Sequence, residues 1–310
     1  MKCAEEYMRL YAVTDRAWVG AQTLYQQVES ALKGGVTCVQ LREKELDEEA
    51  FLKEAFELHD LCKKYNVPFF INDNVDIAIR CHAEGIHVGQ EDMAAAQVRQ
   101  RVGDEMMIGV SVHSVEEALE AVRHGADCLG VGAAFSTHTK ADVDVLPEGM
   151  MKAICDAVDI PVVAIGGIHK ENLLRLKGTG VNGVALVSAI FGAEDIEAEC
   201  RELKALAEQL GWFVAQSHPC RSGMKPCPAA YLDGVEVMNG NPRHNSHNED
   251  AASFCRTNGL VGLSGSDFHE WEDLAIGGLD FAGPVPDGAT LVARLRAGEF
   301  VRICAQKGDA

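Results

Sequence analysis

Residues 38–47 read CVQLREKELD. In an extended chain Gln40, Arg42 and Lys44 project to one face, and Val39, Leu41 and Glu43 to the other. Two cations and an amide converging from one strand end suit an anion with several charged oxygens, such as a diphosphate. Lys140, in the segment STHTK, can bring a third cation to the same group. Asp73 and Asp92 each follow an apolar run and suit Mg2+, an ion held by one or two carboxylates plus phosphate oxygens and water. Gly166 and Gly167 in AIGGI, with Ser188 in LVSAI, offer backbone N–H groups to a monophosphate. Cations around a diphosphate stabilise it as a leaving group, a single electrostatic donor being worth about 3 kcal/mol. No nucleophile and base pair accompanies them, which fits an attacking group that comes from a second substrate. Each residue also has a plainer use: Asp73 and Asp92 precede helix-like runs and suit N-caps, while Arg42 and Lys44 suit solvated strand ends. His87 and His113 are expected as packed or hydrogen-bonded loop residues rather than metal ligands.

The elements that must position these groups follow from the rhythm of the chain. Short apolar or β-branched runs begin at Leu10, Val36, Val67, Gly85, Met107, Cys128, Pro161 and Gly183. Between them lie segments such as DEEAFLKEAFELHDLCKKY and SVEEALEAVRHG, with apolar residues at helical spacing and Gly or Asn at their ends. Eight strand and helix units in about 200 residues predict a (β/α)8 TIM barrel, although a doubly wound open sheet shares much of this alternation. The polar residues gather where each run stops: Asp15, Gln40 to Lys44, Asn72 and Asp73, Gln90 and Asp92, Ser111, the STHTK loop, the two glycines and Ser188. In a barrel those positions share the C-terminal rim, where such enzymes carry their active sites.

Composition narrows the partners. The 28 Lys and Arg against 47 Asp and Glu leave a net charge of −19, which opposes attraction to nucleic acid or an anionic membrane. No run of about 18 apolar residues occurs and the first residues lack a signal-peptide pattern, so a cytoplasmic chain working on small molecules is expected. The 11 cysteines are scattered without a C-x-x-C pair, which favours small buried hydrophobes over disulfides or a zinc ribbon.

Residues 8–208 resemble thiamine phosphate synthase along their whole length. The matching blocks are LYAVTDR, GGVTCVQLREK, FFINDNVDIAI, GIHVGQEDM, IGVSVHSVEEA, FSTHTK, PVVAIGGI and GVALVSAI. The resemblance implies condensation of a hydroxymethylpyrimidine diphosphate with a thiazole phosphate. It assigns Gln40, Arg42, Lys44, Asn72, Ser111 and Lys140 to the pyrimidine diphosphate, and Asp73 and Asp92 to Mg2+. Thr137, Thr139, Gly167 and Ser188 fall to the thiazole phosphate. The implied mechanism is dissociative, with a pyrimidine methyl cation captured by the thiazole nitrogen. Ala133 and Ser136 stand where the family often places prolines. A thiazole tautomerase shares this scaffold but generally lacks the diphosphate apparatus, so Arg42, Lys44, Asp92 and Lys140 together favour the synthase.

From Trp212 onward Pro, His and Asn become frequent, which places a domain boundary between 1–211 and 212–310. The blocks WFVAQSHPCRSG, LDGVEVMNGNPRHNSHNEDAASFC and VGLSGSDFHEWEDL resemble the C-terminal part of the polymerase and histidinol phosphatase (PHP) phosphoesterases. That resemblance marks His218, Asp267 and His269 as late metal ligands, but the early H-x-H pair is absent. A coordination shell left incomplete binds metal weakly, so a small α/β fragment without a complete metal site is expected, the alternative being a second, phosphoesterase activity.

Overall fold

The computed structural model describes residues 3–89, 95–136 and 144–304. The chain divides into two compact units, Met1–Leu210 and Gly211–Ala310. In the first, eight parallel strands close on themselves in sequence order: β1 (Leu10–Val13), β2 (Cys38–Leu41), β3 (Phe69–Asn72), β4 (Gly85–Val88), β5 (Met107–Val112), β6 (Cys128–Val131), β7 (Val162–Ile165) and β8 (Gly183–Leu186). The ring is sealed by β8 against β1, with Tyr11 opposite Ala185, so the open-sheet alternative is set aside. All eight expected runs contribute a strand. Each is buried on both sides, which is why it reads as a continuous apolar run rather than an alternating one.

The outer layer is α1 (Leu24–Lys33), α2 (Glu48–Lys64), α3 (Val75–Arg80), α4 (Ala95–Val102), α5 (Val115–Arg123), α6 (Met150–Ala157), α7 (Ser188–Phe191) and α8 (Ile196–Glu208). Their starts are set by short polar side chains that bond the orphan amides of a first turn. Thr23 and Gln26 form a reciprocal capping box on α1, Asp47 caps α2, Ser114 caps α5 and Asp195 caps α8. Between β7 and β8 the expected helix shortens to a 3-10 turn, Leu173–Leu176. Left-handed Gly178 and Gly180, at φ 81° and 94°, end it there.

The other end of the barrel is closed by a repeated device. The residue just before each even-numbered strand accepts a hydrogen bond from the amide of the first or second residue of the preceding strand. Thr37 Oγ1 takes Leu10 N at 2.8 Å and Glu84 Oε2 takes Phe69 N at 2.9 Å. Asp127 Oδ2 takes Ile108 N at 2.9 Å, and Asn182 Oδ1 takes Val162 N at 2.8 Å. An unpaired buried amide costs about 1–3 kcal/mol, so four acceptors, a hydroxyl, two carboxylates and a side-chain amide, do one job. Side chains fill the interior. Phe70 occupies space that a Cβ on Gly85 would enter at 2.3 Å, and His87 does the same over Gly109 at 2.4 Å. Large residues therefore sit against strand glycines, as a filled barrel requires.

The second unit holds a parallel sheet ordered β11–β10–β9, from β9 (Ala215–Gln216), β10 (Gly234–Asn239) and β11 (Val261–Gly265). An antiparallel pair, β12 (Gly277–Asp280) with β13 (Val301–Cys304), and helices α9 (Asn248–Thr257) and α10 (Gly288–Ala297) complete it. Its buried apolar cluster is Val235, Val237 and Cys255. No helix among the described residues is long and apolar enough to cross a membrane.

Candidate active site

Chain direction in β2 sets the first three groups. Gln40, 4% exposed, points into the barrel and its Nε2 donates to Tyr11 Oη at 2.9 Å. Burial pushes the Tyr11 phenol well above its usual pKa, so it faces this space uncharged. The strand itself stops at Leu41, earlier than an extended reading to Lys44 requires. The cause is Glu43, whose Oε1 accepts from Glu45 N at 2.6 Å and Leu46 N at 3.1 Å and so folds the chain into a turn. Burial pushes the Glu43 carboxyl up, but the Glu45 amide, Arg16 and the Leu46 amide outweigh it and hold the pKa below its usual value. Glu43 thus pairs with Arg16, whose Nε donates to Glu43 Oε2 at 2.7 Å.

Arg42 and Lys44 reach the carboxylates that follow the two neighbouring strands. Arg42 Nη1 lies 3.1 Å from Asp15 Oδ2, after β1, and Lys44 Nζ lies 2.5 Å from Asp73 Oδ2, after β3. The capping alternative for Asp73 is ruled out, because Asn74 Oδ1 accepts from Ile77 N and caps α3. Asp73 instead adopts φ 59°, with its amide on His87 O at 2.8 Å and its Oδ1 on Asn72 Nδ2 at 2.9 Å. A non-glycine residue held at positive φ is strained, and its neighbours hold it with the carboxylate toward Lys44. Ser111, at the end of β5, meets His87 Nε2 at 3.0 Å. His87 is 8% exposed and packed in the interior.

The far side of the rim depends on close backbone approach. Gly167, at φ 64°, follows β7 so tightly that a Cβ would lie 2.4 Å from Ser136 O and 2.6 Å from Phe135 O. Phe135 N donates to Gly166 O at 3.0 Å, tying the loop after β6 to the loop after β7. Ser188, the first residue of α7, is exposed. Asp92, Thr137, Thr139 and Lys140 lie outside the described residues. A surface cavity of about 830 Å3 also includes Ser188, but Glu194, Asp195, Glu199 and Glu202 line it. Its Lys170 is already held by Glu199 and Glu202, each at 3.0 Å. So acidic a lining repels phosphate.

Tyr11 and His87 touch the expected site residues, yet chemistry at each strand end does not single them out. Their signal is strand parity: Tyr11 and His87 are the large polar residues at inward positions of β1 and β4.

A closed parallel barrel with its polar and cationic groups on the C-terminal rim belongs to the class of barrel enzymes that act on phosphorylated small molecules. The family model described as thiamine monophosphate synthase matches residues 10–190. The chain belongs to that family, and the reaction of its barrel is thiamine phosphate synthesis. It is 46% identical over 194 residues to a thiamine-phosphate synthase of Clostridium tetani, covering 63% of this chain and 93% of that protein. Against the enzyme of that name from Chloroflexus aurantiacus it is 44% identical over 200 residues, covering 64% and 92%. The solved thiamine phosphate pyrophosphorylase of Pyrococcus furiosus aligns with a TM-score of 0.62 at 37% identity, over 66% of this chain and 98% of that one. In the second unit residues 245–300 match the model described as PHP-associated.

Proposed function

We propose that the rim joins hydroxymethylpyrimidine diphosphate to thiazole phosphate by a dissociative displacement, with roles divided by charge. Arg42, Lys44 and Lys140 take the diphosphate, and Gln40, Asn72 and Ser111 orient the pyrimidine. Thr137, Thr139, Gly167 and Ser188 hold the thiazole phosphate. The bond from the pyrimidine methylene carbon to the diphosphate oxygen breaks with its electron pair leaving on oxygen. The thiazole nitrogen then donates its lone pair to the methylene cation. No protein base is needed, because no proton moves in forming that bond.

Asp73 and Asp92 would hold Mg2+. The fit rests on Asp73, a half-buried carboxylate at the rim whose hard oxygen donors suit this ion. When bound, Mg2+ neutralises charge on the departing diphosphate. The observation that carries the reading is the pair of ion pairs Arg42–Asp15 and Lys44–Asp73. Both cations stand at the barrel mouth on carboxylates of the same rim, where an incoming diphosphate with its metal can exchange partners with them. A tautomerase has no use for that arrangement. The excess of acidic charge agrees with small-molecule substrates, without nucleic acid, and a cytoplasmic setting. The test is thiamine phosphate formation from the two substrates with Mg2+, beside a chelated sample. Product only with the metal supports the proposal, and equal product in chelator overturns the role of Mg2+.

A further inference from the structure

The PHP resemblance points to His218, Asp267 and His269 as surviving ligands of a multi-metal centre, and the structure does not group them. Among the described residues, the His, Cys, Asp and Glu ligand atoms that lie within 4.8 Å of one another in a group of three belong to His244, Asp267 and His269. His218 falls outside that group. Its amide bonds Glu236 Oε2 at 2.8 Å, and its Nδ1 lies 3.8 Å from the same oxygen without a hydrogen bond. A multi-metal hydrolytic centre does not fit these residues.

We propose that the second unit binds one divalent first-row metal ion, Zn2+ by its donor chemistry, on His244, Asp267 and His269. Two imidazoles and a carboxylate with an open fourth position match the ligand types and number of an exchangeable zinc site. His269 Nε2 stands 3.3 Å from Asp267 Oδ1. Two ligands at about 2.0–2.1 Å on a tetrahedral ion are separated by about 3.3 Å, so this edge is already at coordination spacing. The His244 and His269 rings meet edge to face at 6.0 Å between centroids, and the ligand atoms of all three residues lie within 4.8 Å of one another.

The surroundings hold the ligands from behind, as the outer shell of a metal site does. Arg221 bonds Asp267 Oδ2 and leaves Oδ1 facing His269. Buried Asn241 joins the two ligand loops: its Oδ1 accepts Arg243 N at 3.0 Å, beside His244, and its Nδ2 donates to Asp267 O at 2.9 Å. Asp273 Oδ2 accepts the amides of His269 and Glu270, each at 2.9 Å, and is paired with Arg243, which pins the turn carrying His269. Asp267 itself is held at φ 50°. A strained carboxylate, oriented by a guanidinium and a buried amide, is over-determined in the way functional sites are.

The experiment uses the full chain, stripped by chelator and dialysed into millimolar Mg2+ so that the barrel carboxylates are saturated. Zn2+ is titrated against a chromophoric chelator, and Co2+ is added separately to read its visible absorption. One Zn2+ per chain, an intense tetrahedral Co2+ spectrum, and loss of both in His244→Ala and His269→Ala but not in His218→Ala support the site. The thermal transition of the second unit stays within a few degrees of the parent's in all three variants, which reports that this unit is folded, and thiamine phosphate synthesis remains within twofold, which reports the same of the barrel. No retained Zn2+ in the parent chain overturns the proposal, as does Zn2+ that survives His244→Ala. Loss of Zn2+ in His218→Ala with Zn2+ retained in His244→Ala overturns it in favour of the trio that the family pattern marks, and equal loss in both overturns it in favour of a site that also needs His218.

Discussion

The two units use the same local devices and differ in closure. In both, an acceptor placed just before a strand satisfies an amide at the start of its neighbour: Asn182 does so for Val162 in the barrel, and Asp233 Oδ2 for Val214, at 2.7 Å, in the second unit. In the barrel every strand has a partner on each side. In the second unit the sheets are open, Val301 on β13 is 67% exposed and Trp271 is 81% exposed. Closure lets the barrel bury two apolar layers, one inside the ring and one between strands and helices. With few buried apolar side chains, the second unit draws its local order from Arg221–Asp267, Arg243–Asp273 and the amide of Asn241. Burial fixes positions without regard to ionic conditions, whereas charge pairs respond to pH and salt.

The sharpest way to break this comparison is to make one change in both units. Arg42→Ala is expected to lower kcat/KM for thiamine phosphate formation about a hundredfold or more, the size of a lost electrostatic donor. Arg221→Ala, the same truncation in the second unit, should leave kcat/KM within twofold. Equal losses would show that the rim does not act alone.

Core truncations come next in size. Leu129 is fully buried in the barrel, and Leu129→Ala should cost about 3 kcal/mol on the barrel's unfolding transition. Val235→Ala should cost about 2 kcal/mol on a separate transition of the second unit. Calorimetry that finds one shared transition, shifted by both changes, would contradict two independently ordered units. Smaller still is the strand-start acceptor: Asn182→Ala should destabilise the barrel by about 1–2 kcal/mol with kcat unchanged, because Asn182 lies at the end of the barrel away from the rim.

The smallest expected effect is one of pH. Burial pushes the Asp267 carboxyl up, but the hydrogen bond and charge of Arg221 outweigh it and hold its pKa below the usual 3.8. Asp273 is lowered too: desolvation raises it, and the His269 and Glu270 amides with Arg243 lower it further. A folded pKa below the unfolded one gives stability that is present above pH 3.8 and lost as pH falls through the lower folded value. Circular dichroism during acid titration should show the second unit losing this contribution below about pH 4, and Arg221→Met should remove part of that dependence.

Much of the barrel is legible in the sequence because its strands are buried on both faces and bounded by polar rims, which leaves eight apolar runs in order. Gln40, Arg42 and Lys44 are legible by strand parity, although Arg42 and Lys44 lie beyond the strand. The missing helix after β7 is written in Gly178 and Gly180, whose left-handed turns are plain only once the backbone is seen. The strand-start acceptors are not legible. Thr, Glu, Asp and Asn share no residue type, and each partner lies 15 to 27 positions away. In the second unit a motif marks His218, Asp267 and His269, while space groups His244 with the last two.

The sequence by itself determined the eight barrel strands, their order, the rim that carries charge and the family, because periodicity and strand-end chemistry are local properties. Tertiary structure alone decided which rim carboxylate each cation meets, which residue seals each strand start and which histidine joins Asp267. Those pairings are set by ring closure and loop approach, across chain separations that no local pattern encodes.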